Sequence, residues 1–378
     1  MPSKHFIKNN FFTVPESPQV FFEDTPVGRM KKEVWEMPFE EVKRQLTEDY
    51  EIPSESEFGK AGCYIQTTAR AKQIEKRRKN DIVIVPIGST ENHGMHANSG
   101  LDTFQCSMII EGVRRYTAKK GCEVNLAFNP LNYGGHPYHH IGMPGTIIMP
   151  DDVVKETIVA MMAGLWNDGY RKIILVNNHG QTWNLEGAIQ EFCKRYQLPG
   201  IYRLVEWHRA VREFFIPIDR PNNLETHFIH ADEAETSCGL LMFKDMIDMS
   251  QCEDGYGKAL MKDNGYIDTS CDTLRRPATW GYQQGQNAIE LKGTPKGSIG
   301  VPSISTAEKA MRPILAICKY LTMLCEDILE QFPAGTVPPT EEFTMRTAEE
   351  MAPFLKEPLS EGWQPIDALP RRGFYEHL

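Results

Sequence analysis

The sequence predicts a three-layer α/β/α domain built on a mostly parallel sheet, and three observations carry that prediction. Short β-branched runs (DIVIVPIG from Asp81, VNLAFNP from Val124, RKIILVNN from Arg171, IYRLVEW from Ile201) alternate with segments of helical spacing, the rhythm of a sheet covered by helices on both faces. The run from Asp81 is apolar without alternation, as expected of a parallel strand buried on both sides. Clusters of polar residues follow the apolar runs directly, where open parallel sheets bind their ligands.

The elements follow in chain order. Residues 1 to about 80 are charged and rich in Pro, Glu and Lys, with irregularly spaced aromatics. They read as an extension packed on the core of a domain spanning 81–332. A strand at Asp81 is followed by a helix from about Thr103. A strand from Val124 runs into a Gly-rich loop. Asp151 is placed to cap a helix through Trp166, which Asn167-Asp168-Gly169 ends. The strand from Arg171 leads to a helix from Trp183 to Tyr196, and Pro199-Gly200 turns into the strand from Ile201. A helix is expected from Ala231 to about Met246, then a polar insertion over about 247–296, then a long helix from Thr306 to about Phe332. Residues 333–378 read as a tail ordered by contact. Neither repeats nor low-complexity segments occur.

Bulk properties narrow the function. At 378 residues and 41% hydrophobic content, a sizeable core is expected. A formal charge of −10 argues against nucleic-acid or anionic-membrane partners. The short basic run EKRRK from Glu75 reads as a solvated helix face. Nine cysteines are scattered without CxxC spacing, which fits reduced thiols in the cytoplasm. The N-terminus lacks the apolar core of a signal peptide, and no stretch reaches the ~20 apolar residues of a membrane span.

Eight of the eleven histidines (His93, His96, His136, His139, His140, His179, His227 and His230) fall in or near four segments: STENHGMHANSGLD, YGGHPYHHIGMPGT, NNHGQTWN and HADEAETS. Glu91, His93 and Asp102 place hard oxygen and borderline nitrogen donors on one loop, a mixture suited to zinc, manganese or iron. Two residues apart, Glu91 and His93 point the same way on an extended segment. A carboxylate shared between two ions about 3.5–4 Å apart suits metal-assisted hydrolysis.

These segments resemble the creatininase family. PIGSTENHGMHANSGLD resembles its strand followed by Glu-x-His-Gly and a later Asp. HHIGMPGT is similar to its His-x-x-Phe-Pro-Gly-Thr, with Met143 for Phe, and NNHGQTWN to its Asn-Gly-His-Gly loop. HADEAETS is similar to its His-Ala-Gly-Glu-x-Glu-Thr-Ser, with Asp232 for Gly, and GSIGVPSISTAEKA to its closing stretch. The resemblance covers about 81–245 and 297–330.

It implies a dinuclear hydrolase holding two divalent ions (zinc or manganese, with iron also accommodated). Glu91, Asp102 and His179 bind the first ion, and His93 with Asp102 the second, Asp102 bridging. Creatininase completes the second site with a Glu where this chain has Gln181, so Glu235, ahead of Glu233, is expected to replace it. His230 is expected to move the proton, with metal ligation or support of the ligands as its other reading. His140, Gln181, Trp207 and Tyr133 are expected to contact the substrate. Chain length and motif wording are similar to the inositol-catabolic branch, which opens a diketo-inositol (3-dehydro-scyllo-inosose) to a keto-sugar acid. Alternatives are a cyclic-amide amidohydrolase or formamide deformylase, and, from another class, a catalytically silent metal-binding scaffold. The resemblance further implies a homo-oligomer, often a hexamer. No Rossmann or P-loop motif follows any strand.

Overall fold

The computed structural model describes residues 11–129, 132–257 and 288–371. An N-terminal hairpin, β1 (Phe11–Val14) and β2 (Ser17–Glu23), leads into α1 (Pro26–Glu36) and α2 (Phe39–Arg44). Thr25 starts α1 by accepting a hydrogen bond from Gly28 N, with Pro26 in the first turn. After α3 (Arg70–Lys79) the chain alternates: β3 (Ile82–Ile87), α4 (Leu101–Lys119), β4 (Asn125–Leu126), α5 (Asp151–Asn167), β5 (Lys172–Asn177), α6 (Thr182–Tyr196) and β6 (Ile201–Glu206). Then come α7 (Trp207–Ala210), α8 (Glu233–Phe243), α9 (Glu290–Gly293), α10 (Ala307–Gln331), α11 (Thr340–Phe343) and α12 (Ala348–Leu355).

The four strands lie in the order β4-β3-β5-β6, all parallel. Because side chains alternate across a strand, β3 and β5 feed two cores. Ile82, Ile84, Ile174 and Val176 face a core shared with α4, α8 and α10; Val83, Val85, Ile87, Ile173 and Leu175 face one shared with α5 and α6. This is the three-layer α/β/α architecture. Val20, Phe22, Val34, Trp35, Leu46 and Ile52 of the N-terminal segment join the first core, and Met351 and Phe354 of α12 join the second. The proposed insertion falls mostly on residues outside those described. No described helix is long and apolar enough to cross a membrane.

Three boundaries differ from the sequence reading, each for a local reason. The strand from Val124 keeps only two residues, because Phe128 N is taken by the Gln66 side chain and the ladder stops. Asp151 does not cap α5. It is the first helical residue, and its carboxylate accepts from Asn184 Nδ2 at 2.8 Å, tying α5 to α6. α8 starts at Glu233 because Asp232 caps it, its Oδ1 accepting from Ala234 N and Glu235 N.

The connections place the site. β3 leads through α4 to β4 on one side, whereas β5 leads through α6 to β6 on the other. The loops leaving β3 and β5 therefore diverge and open a crevice between them, the switch point at which open parallel sheets bind ligands.

Candidate metal centre

The loop after β3 is pinned before it reaches α4. Glu91 N donates to Ser99 O at 2.9 Å, and Asn92 N to Thr146 Oγ1 at 2.9 Å. Gly94 takes φ +75°, and its N–H meets Asn92 Oδ1. Asp102 then sits in the first turn of α4, 1% exposed. From the β5 loop comes His179, and from the entry to α8 come His230 and Glu235. Glu91, Asp102, His140, His179, His230 and Glu235 line one cavity of about 480 Å³, with His93 buried beside them.

Three imidazoles are held the same way. One ring nitrogen of each meets a backbone carbonyl, which can only accept: His93 Nδ1 meets Glu91 O (3.1 Å), His179 Nε2 meets Gly135 O (2.9 Å) and His230 Nε2 meets Asn92 O (2.6 Å). The donor is thus fixed on the outer nitrogen and the other nitrogen faces the centre, the arrangement that orients metal-ligating histidines. There His93 Nε2 lies 3.3 Å from Asp102 Oδ1 and 3.6 Å from Glu235 Oε2. His179 Nδ1 lies 2.9 Å from Glu91 Oε2 and 3.0 Å from Asp102 Oδ2. Asp102 thus faces both imidazoles, one with each oxygen.

A pair of glycines allows this closeness. Gly135 N donates to Gln181 Oε1 at 3.0 Å while its carbonyl holds His179. A Cβ at Gly134 would stand 2.7 Å from Gln181 Oε1, and one at Gly135 would collide with the Asn184 amide.

The electrostatics call for positive charge. Burial disfavours ionisation of His93, yet Asp102, Glu235 and Glu91 outweigh it and raise the ring to about 10. His179 is raised well above its usual value against the same burial, by Glu91 and Asp102. Burial pushes Glu91 up, but the facing imidazoles hold it well below the ordinary carboxylate range. Burial keeps His230 below its usual value. Glu235 is driven up to about 8 by burial despite His93. Protons on imidazoles here stand where cations are wanted. Glu91 Oε1, Asp102 Oδ2 and His93 Nε2 are buried without a well-aligned hydrogen bond. The donor set of carboxylate oxygens and imidazole nitrogens fits zinc or manganese, so the residues present suit a divalent metal.

Other sequence-predicted residues lie as follows. Glu233 points away, accepting from Glu225 N, Thr226 N, Thr226 Oγ1 and Lys309 Nζ. Gln181 is buried behind the loop, its Nε2 donating to Gly88 O at 3.4 Å. Trp207 is buried with its indole N–H on Asn178 Oδ1, and Asn178 lines the cavity. Tyr133 is 43% exposed and outside the cavity lining. Sequence reading missed Glu290, 2% exposed, whose Oε1 lies 3.2 Å from His140 Nε2. It also missed Glu225 and Thr226 in the wall, where His208, a wall residue expected from the sequence, lies too. Glu290 sits in a weakly patterned segment that carries no signal for it.

Divergent loops that converge imidazoles and carboxylates on one buried cavity define a metal-dependent hydrolase. The model of the creatininase family, described as creatinine amidohydrolase, matches residues 67–325. The 3-dehydro-scyllo-inosose hydrolase of Thermotoga maritima is 41% identical over 306 residues, 81% of this chain and 96% of that one. A creatininase designated Mn superposes with a TM-score of 0.51 at 17% identity, covering 72% of this chain and 99% of its own. A mutant creatininase of Zn-Zn type gives 0.50 at 18% identity, covering 74% and 100%. The chain belongs to the creatininase family.

Proposed function

We propose that this chain opens 3-dehydro-scyllo-inosose by hydrolysing the carbon–carbon bond next to one of its ketones, giving a keto-sugar acid. The observation that carries the reading is the 41% identity to a hydrolase of that compound over 96% of its length, on a chain whose switch-point loops converge on one cavity. Glu91, Asp102 and His179 would hold one divalent ion, and His93, Asp102 and Glu235 the second. When bound, such ions supply the charge that acidifies water and polarises a carbonyl.

The chain's own residues account for the proton. His230 Nε2 is committed to Asn92 O, so Nδ1 is the free acceptor, 3.6 Å from Glu91 Oε1 and 3.9 Å from Glu235 Oε2. Water oxygen adds to a ketone carbon as His230 Nδ1 takes the proton. The carbon–carbon bond then breaks, its electron pair leaving as an enolate conjugated with the second ketone. His230 returns the proton to that carbon, and the attacked ketone becomes the carboxylic acid. His140, Glu225, Thr226 and His208 give the wall the polar groups a polyol needs. Gln181 and Trp207 act one step behind it, through Gly135 and Asn178.

The eight described cysteines are all free thiols, which supports a reducing, cytoplasmic setting. Exposed Tyr138, Ile141, Ile147, Ile148 and Val153 support burial against another copy in a homo-oligomer. The test of function is direct: metal-loaded protein is assayed on the diketo-inositol and on creatinine. Ring opening of the diketone alone is expected; opening of creatinine with the diketone untouched would overturn the reading.

A further inference from the structure

Beside the centre described above lies a second group of donors. His139 and His140 lie in a 3-10 turn, Tyr138–His140, midway along the loop before α5, and Glu290 opens α9 against them. All three are buried, at 5%, 5% and 2% exposure. His139 Nε2 is 4.0 Å and His140 Nε2 3.2 Å from Glu290 Oε1, and the three donor atoms lie within 4.8 Å of one another. Both Glu290 oxygens and His139 Nδ1 lack a hydrogen-bond partner. Among the described residues, no lysine or arginine forms an ion pair with Glu290. A buried carboxylate that faces only imidazoles calls for positive charge beside it.

His140 sharpens the point. Its Nδ1 lies 2.8 Å from Glu91 Oε1 and 3.3 Å from His136 Nδ1, and its Nε2 lies 3.2 Å from Glu290 Oε1, so the ring stands between two buried carboxylates.

We propose that His139, His140 and Glu290 form a further divalent-cation site, separate from the pair of ions around Asp102. Two nitrogens and one oxygen suit zinc, manganese or another borderline divalent ion. His139 and His140 also line the cavity, so a bound ion fastens α9 to the cavity wall and leaves room for a further oxygen ligand. The site uses neither Asp102 nor His179, and it stands or falls apart from the substrate assigned above.

The test is a metal count by elemental analysis after loading with zinc or manganese and exhaustive dialysis, on wild type and Glu290→Gln. The variant is expected to hold one ion fewer, with the ions around Asp102 retained. Equal counts would overturn the site and leave a shared proton between His140 and Glu290. Anomalous scattering from wild-type crystals of the same dialysed protein needs no variant. A peak among His139, His140 and Glu290 supports the site even if none is found at Asp102; no peak there, with or without peaks at Asp102, overturns it.

Discussion

Replacing His230 by glutamine isolates the proton-moving role from the metal-holding one. The ring is fixed by its 2.6 Å contact to Asn92 O, a bond a glutamine amide N–H can reproduce, so the variant should fold. What is lost is the acceptor Nδ1. It faces the cavity 3.6 Å from Glu91 and 3.9 Å from Glu235, with the His93 ring centroid 4.7 Å away. A positioned acid–base group contributes about 10²–10⁴ in rate, or about 3–5 kcal/mol of barrier at ~1.4 kcal/mol per decade. The expectation is a kcat lower by that factor on the diketo-inositol, with KM changed only a few-fold. The assay is steady-state kinetics with a metal count on the same sample. An unchanged kcat would refute the reasoning, and a lost ion would make His230 a ligand instead.

Further outcomes follow from neighbouring contacts. Glu235→Gln should lose one ion, since its Oε2 faces His93 Nε2 at 3.6 Å. Glu233→Gln should keep the ions, yet lose about 1.5–3 kcal/mol in urea unfolding, because it holds Lys309 and the 225–226 turn through charge-assisted bonds. Gly135→Ala collides with Asn184 and moves the acceptor of His179. Metal affinity should fall about 10–100-fold, the usual cost of losing a partner behind a ligand, read by chelator competition. Lys172→Met strands Asp81, 1% exposed and bonded to Lys172 Nζ at 2.6 and 2.7 Å. It should cost about 3–5 kcal/mol, and adding Asp81→Asn should restore most of that.

Much of this was legible in the sequence, for physical reasons that differ by element. β3 and β5 announce themselves because strands buried on both faces must be apolar throughout. Glu91, His93, Asp102 and His179 are legible because they follow those strands closely and are polar where the sheet predicts ligands. Glu235 was preferred to Glu233 from the sequence, but the contact that turns Glu233 away was not legible, since it depends on Lys309, 76 residues away in the chain from Glu233. Glu290 was invisible for the same reason: only the folded chain brings α9 against His139 and His140. Tyr133 and Gln181 show the opposite limit. Both adjoin motif residues in sequence, yet one side chain faces outward and the other supports the loop from behind.

The most direct test of the account is the change in bound metal when Asp102 becomes alanine. Asp102 faces His179 with one oxygen and His93 with the other, so in the proposed centre it would hold both ions. The account predicts that Asp102→Ala holds two ions fewer than wild type and hydrolyses no diketo-inositol. An unchanged metal count, or the loss of a single ion with activity retained, would contradict it.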